Sequence, residues 1–180
     1  MRQQTKQDTR QAMKRRQTIA HPCMWGFAAT KDRSLPIRGN CFPVGWKESV
    51  GDDMSFLNDL TEEREATLRE KCLSRAKAGT VRRWMYLIRL CAEVRKGDIV
   101  VYNNASGGSV MIGRVADGAW TYEDGSVLPC RRAVEWIAEV PKREMSRGFA
   151  ARISPQCTIH PMTGEREREV FEVLERKGLL

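Results

Sequence analysis

The sequence predicts a small α+β fold whose mostly antiparallel sheet curls into a partly open barrel flanked by helices. Three observations predict it. The chain has 180 residues, enough for one compact domain and short for two. Its apolar residues follow a strand period near the start, a helix period in the middle and a strand period again from residue 98 onward. The later strands are separated by short Gly- and Asp-rich turns of the hairpin kind, and a last helix closes the chain.

Residues 1–22 come first and stand apart. They are Gln-rich and hold six basic residues against Asp8 alone, so +5 of the formal net charge of +8 lies there and only +3 in residues 23–180. Such a segment cannot bury apolar surface and reads as a basic, flexible tail ahead of one domain, 23–180. Residues 23–29 (CMWGFAA) read as a first strand and TKDRSLPIRGN as a loop. In residues 41–46 (CFPVGW), Phe42, Val44 and Trp46 share one face of a second strand, with Pro43 marking an edge or a bulge.

Residues 56–73 carry a partial helical stripe of Phe56, Leu57, Leu60, Leu68 and Cys72, ended by Gly79. The clearest helix follows, with Val81, Trp84, Met85, Ile88, Cys91 and Ala92 on one face and Gly97 as its stop. Strands are then expected over 98–102, 110–116, 118–122 and 131–140; in the last, Val134, Trp136, Ala138 and Val140 alternate as one buried face. A short helix and a short strand near 157–160 precede the C-terminal helix, 165–178, acidic at its start and basic at its end.

Several chemistries are excluded at this level. No apolar run approaches the length that spans a bilayer, and no apolar stretch follows the basic N-terminus as in a secretory signal, so a cytoplasmic protein is expected; Met1 and the capped C-terminal helix lead to the expectation that it stands alone. The six cysteines lie at least 18 residues apart with only two histidines to join them, which argues against structural zinc and for buried thiols. The acidic pairs Asp52-Asp53, Glu62-Glu63 and Glu123-Asp124 fall in turns or on a solvated helix. Gly107-Gly108 precedes a strand rather than a helix, so it cannot cradle phosphates as a P-loop does. No nucleophile sits in a recognisable catalytic setting, and no cofactor, metal or enzymatic activity is expected.

The aromatic set carries more information. Flat rings beside Arg and Lys are what a protein needs to stack an unpaired base while holding its phosphates. Trp136 and Trp84 sit on apolar stripes, where tryptophan is usually core. Trp46 ends its strand at a polar loop and suits a pocket wall as well as a core, and Trp25 beside Gly26 and Trp120 in a hairpin are weaker candidates.

Together, FPVGW with its polar turn, the amphipathic helix running into KGDIVVY, then IGRVADGAWTY and PCRRAVEW, resemble the EVE-like branch of the PUA-like superfamily, from about Trp25 to about His160. Similar domains precede the nuclease or motor parts of modification-dependent restriction systems and are related to the YTH readers of methylated adenine. The resemblance implies a β-barrel with a modified-base pocket between the barrel and the helix before the Gly97-Asp98 turn. It places Trp46 at the family's Gly-Trp strand end, Trp84 on the pocket-side helix, and the loop of Lys31, Arg33 and Arg38 to Asn40 beside the pocket. Where relatives commonly have His-x-Arg, this chain has Cys130-Arg131-Arg132, so no role of that His carries over.

The expectation that follows is a non-catalytic module reading a modified base in a restriction or defence setting. Trp46, Trp25 and Trp84 would stack on the base, Asn40 and Asn103 would bond its edge, and Lys31, Arg33, Arg38, Arg82 and Arg83 would hold phosphates. DNA is the expected partner, with RNA second and a nuclease protein third. The alternatives are a PUA-like RNA-binding protein of RNA metabolism and an interaction subunit of a defence complex.

Overall fold

A computed structural model describes residues 22–27, 32–45, 55–104, 108–123, 125–152 and 159–180. Seven strands form one sheet: β1 (Met24–Phe27), β2 (Cys41–Val44), β3 (Ile99–Asn104), β4 (Ser109–Val115), β5 (Thr121–Tyr122), β6 (Cys130–Pro141) and β7 (Ile159–Pro161). Five α-helices accompany them among the described residues: α1 (Leu35–Arg38), α2 (Glu62–Leu73), α3 (Ala78–Glu93), α4 (Arg147–Arg152) and α5 (Glu165–Arg176). The strand order is β2-β6-β4-β3-β1-β7, with β5 also on β6; β1 and β3 are parallel and every other pair is antiparallel. The sheet curls into an open half-barrel, and the fold is α+β. β2 is an edge strand, as its Pro43 requires, because a central strand would need that N–H.

Both faces of the sheet are buried. On one, Val100, Tyr102, Met111, Val115 and Val134 pack with Leu68 and Cys72 of α2 and Val81, Met85, Ile88 and Cys91 of α3. On the other, Ile99, Val101, Val110, Ile112 and Val140 pack with Phe149 of α4 and Val170, Val173 and Leu174 of α5. That is why DIVVY reads as a continuous apolar run rather than an alternating one.

Four expectations are corrected. The run 134–140 does not present one buried face: the register with β4 slips between Ile112 and Gly113, so Gly113 opposes Trp136, Ile112 opposes Ala138, and Ile137 is the extra residue of a bulge. Val134 and Trp136 therefore belong to the first core, while Ala138 and Val140 serve the second. The predicted loop contains a helix, α1. The Asp32 carboxylate accepts from the backbone N–H groups of Ser34 and Leu35, each at 3.1 Å, and so organises the turn that leads into it.

Third, 56–73 is not one helix. A 3-10 turn over Ser55–Asn58 is followed by α2, which starts where the Thr61 hydroxyl accepts from the N–H of Arg64. Gly79 ends neither element and lies in the first turn of α3. Fourth, the strand expected over 118–122 shrinks to Thr121–Tyr122 because Asn58 takes both backbone groups of Trp120, its Oδ1 accepting at 2.6 Å and its Nδ2 donating at 3.1 Å. The C-terminal helix ends at Arg176, and Gly178 with φ 66° closes it: the N–H of Leu179 bonds the carbonyl of Leu174, and that of Gly178 the carbonyl of Glu175.

Candidate functional site

The aromatic side chains form a buried chain rather than an open platform. Phe27 lies 4.6 Å from Phe42, 5.0 Å from Tyr102 and 6.3 Å from Trp136, ring centre to ring centre, and Phe42 lies 5.5 Å from Trp120. The segment carrying α1 is fastened over this cluster by two polar tips. The Tyr102 hydroxyl donates to the Arg33 carbonyl at 2.6 Å, and the Trp136 Nε1 donates to the Pro36 carbonyl at 3.1 Å. Burial pushes the Tyr102 hydroxyl pKa up, so the ring stays a neutral donor.

Trp120, at the end of the chain, forms one wall of a cleft of about 350 Å3. Leu57 and Asn58 of the 3-10 turn, Val94 and Arg95 after α3, Asp117, Gly118 and Ala119 after β4, and Arg132 of β6 complete the lining. The cleft thus opens where the end of α3 meets the sheet. Its size is at the lower end of what small-molecule pockets have.

Arg132 is the unusual member. It occupies an inward position of β6 between the buried Cys130 and Val134 and is 9% exposed. Its Nε has no hydrogen-bond partner, and no carboxylate among the described residues forms an ion pair with it. Burial lowers its pKa most, with the Arg95 charge adding to the effect, while Asp117 and Asp98 oppose it. Its neighbour Arg131 also has an unbonded Nε, but its guanidinium pairs with Glu123 and donates to the Ser126 hydroxyl at 3.1 Å. Arg95 is held at the rim by its Nη1, which donates to the Ala92 carbonyl at 2.6 Å at the end of α3. The Asp117 carboxyl is kept below the usual range mainly by the Lys96 ammonium, 2.7 Å from Oδ2. The cleft therefore carries two arginines and one carboxylate already matched by a lysine.

The sequence-selected residues distribute as follows. Trp46 and Lys31, like the tail over 1–21, lie outside the described residues. Trp25 is 3% exposed, its ring in the first core and its Nε1 bonded to Asp98. Trp84 is half-buried on α3 against the same core. Arg33, Arg38 and Asn40 are each exposed on the segment carrying α1; Arg38 pairs with Asp32 at 3.0 Å, and Asn40 adopts φ 43° in the turn before β2. Asn103 is half-buried at the end of β3 opposite Val110. Arg82 and Arg83 are exposed on α3 near Tyr86, itself 54% exposed. None of these described residues lines the cleft.

Sequence reasoning passed over Arg95, Arg132, Asn58 and Asp117. One signal for Arg132 was present: by parity it shares a face with Cys130 and Val134, and an arginine at an inward position needs a reason.

A groove of about 790 Å3 runs along α5, but five glutamates line it against two arginines, so it repels polyanions. Among the described residues no group of His, Cys, Asp and Glu is placed to hold a metal ion, and no helix is long and apolar enough to cross a membrane. Fold and site together define an α+β protein with a curled open half-barrel and a cationic cleft at its helix-sheet junction. No family model, curated protein or solved structure matches the chain.

Proposed function

We propose that the chain is a non-catalytic nucleic-acid-binding module of the PUA-like, EVE-like kind that reads a modified base, with DNA as its partner in a restriction or defence setting. The observation that carries this reading is the cleft at the junction of α3 and the turn into β3, with Trp120 as a wall and Arg95 and Arg132 in its lining. A nucleotide has a flat ring and an anion, and this cleft offers two guanidiniums for the anion and, for the ring, a wall formed by Trp120, which is 5% exposed. The exposed trio Arg82, Arg83 and Tyr86 on α3 and the basic segment 1–22 supply further phosphate and stacking contacts.

Trp46 follows β2 in the chain and precedes the 55–58 turn whose Leu57 and Asn58 line the cleft. In this reading it stacks on the base, and Arg33, Arg38 and Lys31 hold the strand outside the cleft, while Asn40 and Asn103, which do not line the cleft, leave the base edge to Asn58. Fluorescence anisotropy with methylated and unmodified DNA of one sequence, and RNA to match, tests it. Modified DNA should bind most tightly, and Trp46→Ala should weaken it by about tenfold to a hundredfold, the worth of one base-aromatic stack. Equal affinity for modified and unmodified strands, unaltered by Trp46→Ala, overturns the reading. Tighter binding of the RNA replaces DNA as the partner.

A further inference from the structure

We infer that Arg132 is the floor of a seat for a phosphate group in this cleft, an inference that names the ligand group of the site proposed above. A guanidinium offers five N–H donors in a rigid fork that fits the oxygens of a tetrahedral anion. Folding a protein around such a charge is unfavourable unless something matches it. Here the fold withdraws Arg132 to 9% exposure, yet its Nε has no partner and no described carboxylate reaches it.

The neighbourhood explains why neither nearby described carboxylate does so. The Asp98 carboxylate, 6% exposed, is taken up by three other donors: the backbone N–H of Cys23 at 3.1 Å, the Trp25 indole at 2.8 Å and the backbone N–H of Arg95 at 2.9 Å. Asp117 is turned toward Lys96. Both carboxylates offset the Arg132 charge through space without bonding it, while Arg95 at the rim adds a second positive charge to the same cavity. A doubly cationic cleft whose withdrawn arginine is bonded to no described carboxylate is complementary to an oxyanion, and the cleft is open to receive it.

The phosphate can come from a nucleic-acid strand or from a free nucleotide or inorganic phosphate. Melting of the full chain is compared in sodium phosphate and in sodium chloride of equal ionic strength, for the natural protein and for Arg132→Met. Phosphate at about five times its dissociation constant should raise the melting temperature of the natural protein by about 2–4 °C. Arg132→Met should show no phosphate response while melting at or above the natural protein in chloride, because an apolar side chain of similar reach suits the site better than an unpaired charge. A structural role for Arg132 would instead lower the melting temperature and leave the response in place.

If Arg132→Met does not fold, the rim variant Arg95→Gln replaces it and should weaken phosphate binding severalfold. An equal phosphate response in the natural protein and the variants, or none in the natural protein, overturns the seat. An oligonucleotide arm separates the two readings. Oligonucleotide binding without an Arg132-dependent phosphate response removes the seat and leaves the nucleic-acid reading. An Arg132-dependent response to inorganic phosphate with no oligonucleotide binding keeps the seat, as one for free nucleotides, and removes that reading.

Discussion

The indole Nε1 of Trp25 donates to Oδ2 of Asp98 at 2.8 Å, joining residues 73 positions apart. Asp98 sits in the turn just before β3, and its carboxylate also takes the backbone N–H groups of Cys23 and Arg95. One buried acid thereby fixes the start of β1, the exit from α3 and the entry to β3. Trp25, which the sequence offers as a base-stacking candidate, spends its polar edge on this junction. It is not among the residues that line the cleft.

Asp98→Ala should destabilise the protein by about 2–4 kcal/mol, since it strands three N–H donors in a buried place. Asp98→Asn keeps one carbonyl acceptor and should cost less. Urea denaturation of both variants orders them, and an alanine variant as stable as the asparagine variant would refute the carboxylate as the tie.

Asn58 acts at the opposite wall. Because its side chain both accepts from and donates to the backbone of Trp120, Asn58→Ala should cost about 1–2 kcal/mol and loosen the loop that carries Asp117 and Gly118. Hydrogen exchange at the Trp120 amide should quicken in this variant while the amides of β3 stay protected.

Gly113 sits opposite the bulge, where an added Cβ would lie 2.5 Å from Val134 Cγ1 and 2.9 Å from the Glu135 carbonyl oxygen. Gly113→Ala should therefore cost about 1–3 kcal/mol, because backbone cannot give way as a side chain can. At Gly79, in the first turn of α3, a Cβ meets nothing within 4 Å, so Gly79→Ala should stabilise by about 0.4–1 kcal/mol. Thermal melts of the two variants should move in opposite directions.

His160 of β7 lies over Gly26, whose missing side chain leaves room for the imidazole; a Cβ there would come 2.4 Å from Nε2. Burial, reinforced by the Arg166 charge, holds its pKa below the ordinary 6.5. The unfolded chain then binds a proton more readily than the folded one. The contribution of neutral His160 is fully present above about pH 6.5 and is lost as the pH falls below it toward the folded value. The melting temperature should drop over that window, and His160→Gln should flatten the slope.

Much of the element pattern is legible in the sequence. The stripe over 81–92 marks α3, the run after Asp98 marks β3, and Gly178 marks the end of α5, each because the signal lies within a few residues of what it specifies. Pro43 narrows its strand to an edge or a bulge, and the structure shows the edge. The site was less legible. Of the tryptophans, the sequence could say that each is large and apolar with one polar edge, but not which edge would find a buried acceptor.

The amino-acid sequence by itself determined the α+β class, the place of α3, β3 and the C-terminal helix in the chain, and the concentration of charge in residues 1–22. These follow from periodicity and composition, which are local properties of the chain. Tertiary structure alone decided three things: that β6 changes face at Ile137, that Asn58 ends β5 early by holding Trp120, and that Arg132 lines a cleft with no ion-pair partner among the described residues. Each depends on which groups meet across long separations, and a hydrogen bond or register is settled by the partner that arrives, not by the residue that waits for it.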